Sequence, residues 1–236
     1  GGGAMTLGIA DWVYGLLPID GSHSFAADNG DIGLSLDMEA TTPVMLHNEI
    51  GWLPTEAGAT YYYSWPRQEA VGQLTIDGET INVSGTSWFD HQWGDFFVLG
   101  KPAGWQWFAL QFDDGGSLMI TEARGIDGKI ADTYGTYMSS EGEVRALTQV
   151  EDGIELATIG EWTSPTTGAT YPSRWSLAIE SLSMDLIITP EVNDQEVRGG
   201  LPAASTYWEG ESWVGGRQNG EPIAGNAYVE LSGFVD

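Results

Sequence analysis

The feature that most constrains this chain is an apolar period of two broken by glycine turns. In "GQLTIDGETINVSG" (72–85), Leu74 and Ile76 alternate with polar residues up to Asp77-Gly78, and Ile81 and Val83 resume the alternation beyond it. Successive strand side chains point to opposite faces, so the pattern makes one apolar and one polar face, and Asp-Gly is a preferred hairpin turn. The idea returns in "WQWFALQFDDGGSLMITEARGIDGKI" (105–130), with turns at 113–116 and at Asp127-Gly128, and again in "WSLAIESLSMDLIITP" (175–190) and "GNAYVELSGF" (225–234). With 33 glycines and 10 prolines between short strands, the expectation is an all-β chain closing into barrels or sandwiches, with few and short helices.

A weak internal repeat refines this. "DGETINVSGTSWFDHQWG" (77–94) aligns with "NGEPIAGNAYVELSG" (219–233) when two residues are dropped, matching Gly78 with Gly220, Ile81 with Ile223, Trp88 with Tyr228 and Asp90 with Glu230. Two related β modules in tandem are the economical explanation. Where the second copy continues Glu230-Leu231-Ser232-Gly233, the first reads Asp90-His91-Gln92-Trp93. The histidine and second tryptophan are therefore additions to a structural template.

Charge excludes several functions. Eight Lys plus Arg stand against 34 Asp plus Glu, a formal charge of -26, which repels nucleic acid and anionic membranes and fits a solvated acidic surface of the kind suited to high salt. There is no cysteine, and the three histidines, His23, His47 and His91, have no metal-ligand spacing, so no metal is indicated. No apolar run has the length of a membrane span, and "GGGAMTLGIADW" lacks the regions of a signal peptide. The expected setting is cytoplasmic or loosely membrane-associated.

A series of blocks carries a family resemblance. "SWFDHQWG" (87–94), preceded by "PVMLHNEIGW" (43–52) and "ATYYYSWPR" (59–67), is followed by "WQWFALQFDDG" (105–115), "TTGATYPSRWSL" (166–177), "YWEG" (207–210) and "GNAYVELSGF" (225–234). In order and spacing, from "IADWVY" onward, the chain resembles the family of carotenoid 1,2-hydratases, kievitone hydratase and AttH-like proteins. The resemblance implies two tandem lipocalin-like antiparallel β-barrels, residues 1–98 contributing to the first and 99–236 forming the second, with an apolar cavity near their junction. It also implies a further Trp-rich first strand that nothing before Gly1 supplies. If that segment is absent, the first barrel lacks N-terminal strands and exposes an unpaired edge, an aggregation hazard; either the chain is trimmed, a separate N-terminal fragment of the same protein completes it, or the barrel is built differently.

The chemistry so implied is addition of water to an isolated C=C of a small apolar terpenoid or carotenoid, with no cofactor. Protonating such a bond calls for a carboxylic acid kept neutral by desolvation, and Asp90 is the obvious candidate. Trp88, Trp93, Trp105 and Trp107 offer π-faces to the cation, and His91 can hold or deprotonate water. His47 is a pocket candidate by family position, and Tyr61 and Tyr63 share a strand face. Strand alternation separates Asp90 from His91 unless a bulge intervenes. Two versions follow: His91 and Trp93 line the cavity with another acid such as Glu122, or Asp90 lines it and His91 braces a loop. Beside each stands an architectural role, Asp90 binding backbone at a strand end and the tryptophans forming core. A cyclase or isomerase excluding water, and a non-catalytic carrier of apolar ligands, are the competing functions.

Overall fold

The computed structural model describes residues 5–9, 12–17, 22–55, 58–94, 104–125, 127–198 and 206–235. The leading Gly1–Ala4 and the expected boundary between residues 98 and 99 lie outside them. The described chain is almost entirely antiparallel β-structure of lipocalin-like type. Its strands are β1 (Met5–Ile9), β2 (Trp12–Leu17), β3 (Ser22–Asp28), β4 (Ile32–Ala40), β5 (Met45–Leu46), β6 (Trp52–Thr55), β7 (Gly58–Ile76) and β8 (Glu79–Gly94), then β9 (Gly104–Phe112), β10 (Ser117–Arg124), β11 (Ile130–Met138) and β12 (Val144–Thr148). They continue with β13 (Ile154–Thr163), β14 (Thr170–Ile179), β15 (Met184–Pro190), β16 (Glu196–Arg198), β17 (Thr206–Gln218) and β18 (Glu221–Ser232). A four-residue helix, Gln149–Asp152, is capped by the Thr148 side chain and stopped by left-handed Gly153.

The chain divides into two compact units, Gly1–Met45 with Tyr63–His91, and Leu46–Tyr62 with Gln92–Asp236. One sheet runs β1-β2-β3-β4-β7, with β5, β6 and β8 also paired to β7; the other runs β12-β11-β10-β9-β18-β17-β15-β14-β13, with β16 on β17. The turn chemistry read from the sequence is in place. Asp77-Gly78 and Asn219-Gly220 both hold positive φ at each residue and close the β7–β8 and β17–β18 hairpins, the backbone that a two-residue turn between right-twisted strands needs. At Gly72 a Cβ would lie 1.9 Å from the Ser35 carbonyl oxygen of β4, so only glycine lets these strands come this close.

The second unit encloses a dense core. Phe108, Leu110 and Phe112 of β9, Leu118 and Ile120 of β10, Trp175 of β14, Trp208 of β17, and Val229 and Leu231 of β18 all belong to it and are almost wholly buried. Each comes from one alternating face of its strand, as the sequence pattern requires.

Candidate active site

The face that collects unusual chemistry lies in the first unit and can be followed strand by strand through the register. Tyr14 of β2 pairs with Phe25 of β3; Phe25 and His23 pair with Leu36 and Met38 of β4; and these pair with Gly72 and Ala70 of β7, while Ala40 pairs with Gln68. Paired residues share a face, so Tyr14, His23, Ala70 and Gln68 point the same way. Yet the His23 ring also packs edge-on against Trp65, with centroids 5.0 Å apart. In an unbroken strand, Trp65 and Gln68 point to opposite faces.

The contradiction is resolved by a register slip between β7 and β8. Thr75–Thr80, Gln73–Asn82 and Gln68–Ser87 side-chain bonds follow one register. Ser64–Asp90 and Tyr63–His91 follow another, one residue out of step. The extra residue falls in β7, within Trp65-Pro66-Arg67, where proline has no N–H for a ladder and is accommodated at a bulge. This bulge turns Tyr63 and Trp65 onto the face of His23.

Six rings meet there. Phe89 lies 4.3 Å from His23, stacks nearly parallel to Tyr14 at 5.8 Å, and approaches Trp65 at 5.8 Å, Tyr63 at 6.3 Å and His91 at 6.4 Å. Two tyrosine–histidine hydrogen bonds are set among them: Tyr14 Oη to His23 Nδ1 and Tyr63 Oη to His91 Nδ1, each 3.2 Å. Burial raises the Tyr14 hydroxyl far above its ordinary range, and the adjacent Tyr63 adds to the effect; burial also raises Tyr63. His23 is 4% exposed, whereas His91 is open to solvent. The arrangement pairs phenol hydroxyls with imidazoles inside an aromatic setting, the equipment of proton transfer.

Asp90 points the other way. It shares the opposite face of β8 with Trp88, whose indole Nε1 donates to Asp90 Oδ1 at 2.7 Å, and the same oxygen accepts a hydrogen bond from the fully buried Ser64. Alternation along β8 is unbroken, so Asp90 and His91 do not meet on one face. The repeat corroborates this. By its alignment, Phe89 and His91 correspond to Val229 and Leu231, both core residues of the second unit. Asp90 corresponds to Glu230, which also accepts an indole N–H, that of Trp105 at 2.9 Å.

The remaining expected residues belong to the second unit. His47 is fully buried, bonded through Nδ1 to Thr136 Oγ1 at 2.9 Å and packed on Tyr62 at 3.9 Å; burial holds its pKa down at about 3. Trp107 donates its indole N–H to the Tyr62 hydroxyl at 3.0 Å. Tyr61 and Trp93 stack on each other at 5.2 Å and are 51% and 44% exposed. Glu122 lies in register with Gln106 and Thr133; its Oε1 accepts from Gln106 Nε2 at 2.9 Å and from Arg124 Nε and Nη2 at 3.2 and 3.1 Å. Gln106 in turn accepts the Trp175 indole N–H at 2.8 Å, so Glu122 anchors a buried polar chain. Glu209, opposite Glu230 on β17, is raised by burial. Among the described residues no group of three His, Cys, Asp or Glu is placed to hold a metal ion, and no helix is long and apolar enough to cross a membrane.

Tyr14, His23, Trp65 and Phe89 were not singled out by sequence. The one available signal was Pro66 inside an otherwise strand-like run, which marks a bulge and a change of face.

The AttH-like family model matches residues 3–234. An AttH-like protein of Nitrosomonas europaea is 30% identical, with a TM-score of 0.86 over 98% of this chain and 70% of that one. Kievitone hydratase of Nectria haematococca shares the fold at 20% identity, with a TM-score of 0.76 over 97% of this chain and 82% of that one. CghA does so at 10% identity, with a TM-score of 0.61 over 95% and 68%. No curated protein matches the chain. From the family model and the Nitrosomonas structure together, the chain is a member of the AttH-like family.

Proposed function

We propose that the protein is a hydratase-like enzyme adding water to an isolated C=C of an apolar terpenoid- or carotenoid-type substrate, and that the ring-lined face of the first unit carries the chemistry. The observation supporting this is the Tyr63–His91 hydrogen bond, set among Trp65 and Phe89 on the face that its repeat counterpart uses for core. The proton comes from the imidazolium form of His91 and is relayed by Tyr63, whose oxygen takes the Nδ1–H as its own proton passes to the less substituted alkene carbon; burial, which raises the Tyr63 hydroxyl, makes it a relay and not the proton source. The cation left at the more substituted carbon lies among the rings, and cation–π attraction from Trp65 and Phe89 is worth about 0.5–2 kcal/mol each. Water then adds to it. Likeness of fold to kievitone hydratase supports the reaction class. Asp90, bonded to Ser64 and Trp88, serves in this reading to hold β8 against β7, as Glu230 holds Trp105 in the other repeat.

The test is incubation of wild type and His91→Ala with a panel of acyclic terpenoids and carotenoids in H₂¹⁸O, read by mass spectrometry. One ¹⁸O per product molecule, lost in the variant, is the expected result. Unlabelled products of substrate mass would point instead to an isomerase or cyclase, and binding without product to a carrier.

A further inference from the structure

Water addition returns one proton to the protein as the C–O bond forms, and the ring-lined face carries a second tyrosine–histidine hydrogen bond besides Tyr63–His91. We propose that Tyr14 and His23 are the relay that deprotonates the attacking water, an assignment that rests on the hydratase reading above. The two residues lie on the same traced face as Tyr63, and both pack on the Phe89 ring that Tyr63 and His91 also approach. Both tyrosine–histidine pairs thus lie around this one ring.

The two pairs differ in a way that divides their labour. His91 is exposed to solvent, whereas the buried His23 packs against Trp65, Phe89 and Tyr14 and is hydrogen-bonded to the Tyr14 hydroxyl. As the water oxygen bonds to the cationic carbon, one of its O–H bonds breaks and that proton moves to the Tyr14 oxygen. The original Tyr14 proton passes to Nδ1 of His23, so Nε2 carries the hydrogen in the resting imidazole. The products are a neutral alcohol and an imidazolium at His23. Loss of that proton to bulk water, and uptake of one by His91, restore both pairs. A tyrosine whose burial opposes ionisation suits a relay that accepts and releases a proton in one motion rather than a standing phenolate.

The two steps are separable in D₂O and in H₂¹⁸O, using farnesol, geranylgeraniol and squalene as probes with wild type, Tyr14→Phe, His23→Gln and Tyr63→Phe. Reversible protonation by Tyr63–His91 writes deuterium into recovered alkene; water capture writes ¹⁸O into alcohol. The expected outcome is that Tyr14→Phe and His23→Gln keep deuterium exchange within about threefold of wild type but lose about a hundredfold or more in ¹⁸O product, the range of general-base contributions, whereas Tyr63→Phe loses both. Full ¹⁸O incorporation by Tyr14→Phe, or equal loss of both labels in it while its thermal unfolding matches wild type, overturns the assignment and leaves the hydratase reading standing. Absence of both labels with wild type on every probe overturns the hydratase reading itself, and this inference with it.

Discussion

The ring-lined face of the first unit and the core of the second are built on one plan and filled differently. Both arise from antiparallel strands with apolar residues at alternate positions, and the hairpins β7–β8 and β17–β18 share their turn geometry. In the second unit the alternating face is closed by Phe108, Trp175, Trp208, Val229 and Leu231, none more than 1% exposed. In the first, the same repeat positions carry Phe89 and His91, and the neighbouring strands bring Tyr14, His23, Tyr63 and Trp65 to them, several still partly exposed. A face that only stabilises is filled with carbon to full density; a face that keeps polar rings at core positions gives up burial, and that exchange supports the proposal that it carries the chemistry.

The largest effect that sharpens this contrast is on stability. Trp175→Ala removes a fully buried ring and the donor to Gln106, and should cost about 3–5 kcal/mol in urea unfolding. Phe89→Ala, at a partly exposed ring, should cost only about 1–2 kcal/mol while abolishing turnover. Equal costs for the two would dissolve the distinction between core and site.

The next effect is on pH dependence. His47 is neutral when folded because burial lowers its pKa to about 3, while in the unfolded chain it titrates near about 6.5. Its contribution is therefore fully present above the unfolded value and is lost as pH falls from there toward 3. Between about pH 6.5 and 5 the loss is about 2 kcal/mol, at about 1.4 kcal/mol per pH unit. His47→Gln should flatten the stability profile by that amount over this window, measured by denaturant melts at each pH. An unchanged slope would show that His47 is not buried in the neutral form.

Smaller still is Asp90→Asn, which keeps one acceptor oxygen for Ser64 and Trp88 and should destabilise by about 1 kcal/mol. The smallest is Thr133→Val. The Thr133 hydroxyl is buried with no hydrogen-bond partner among the described residues, so its replacement should be neutral or stabilise by up to about 1 kcal/mol. A loss of more than this would mean that the hydroxyl has a partner, such as a bound water beside Glu122.

Much of the fold was legible because turns and alternation are local. Asp77-Gly78, the 113–116 turn and Asp127-Gly128 all sit between strands as read. The repeat was legible too, and its odd residue, His91, falls at a core position of the template. Which of Asp90 and His91 shares a face with the other rings was not legible, because that depends on a one-residue slip in β7 that pattern alone does not locate. Tyr14 and His23 were illegible for the same reason. They reach Tyr63 and His91 only through three successive registers, β2 to β3, β3 to β4 and β4 to β7, followed by the bulge at Pro66, and no short motif spans that distance.

The central claim is that the reactive face of β8 is the one bearing His91 and not the one bearing Asp90. Its most direct test is the initial rate of ¹⁸O-alcohol formation by Tyr63→Phe and Asp90→Asn, side by side with wild type. The account predicts a loss of about a hundredfold or more in Tyr63→Phe and no more than a few-fold in Asp90→Asn. Near-normal turnover by Tyr63→Phe with turnover abolished in a folded Asp90→Asn would contradict it and move the chemistry to the opposite face of the strand.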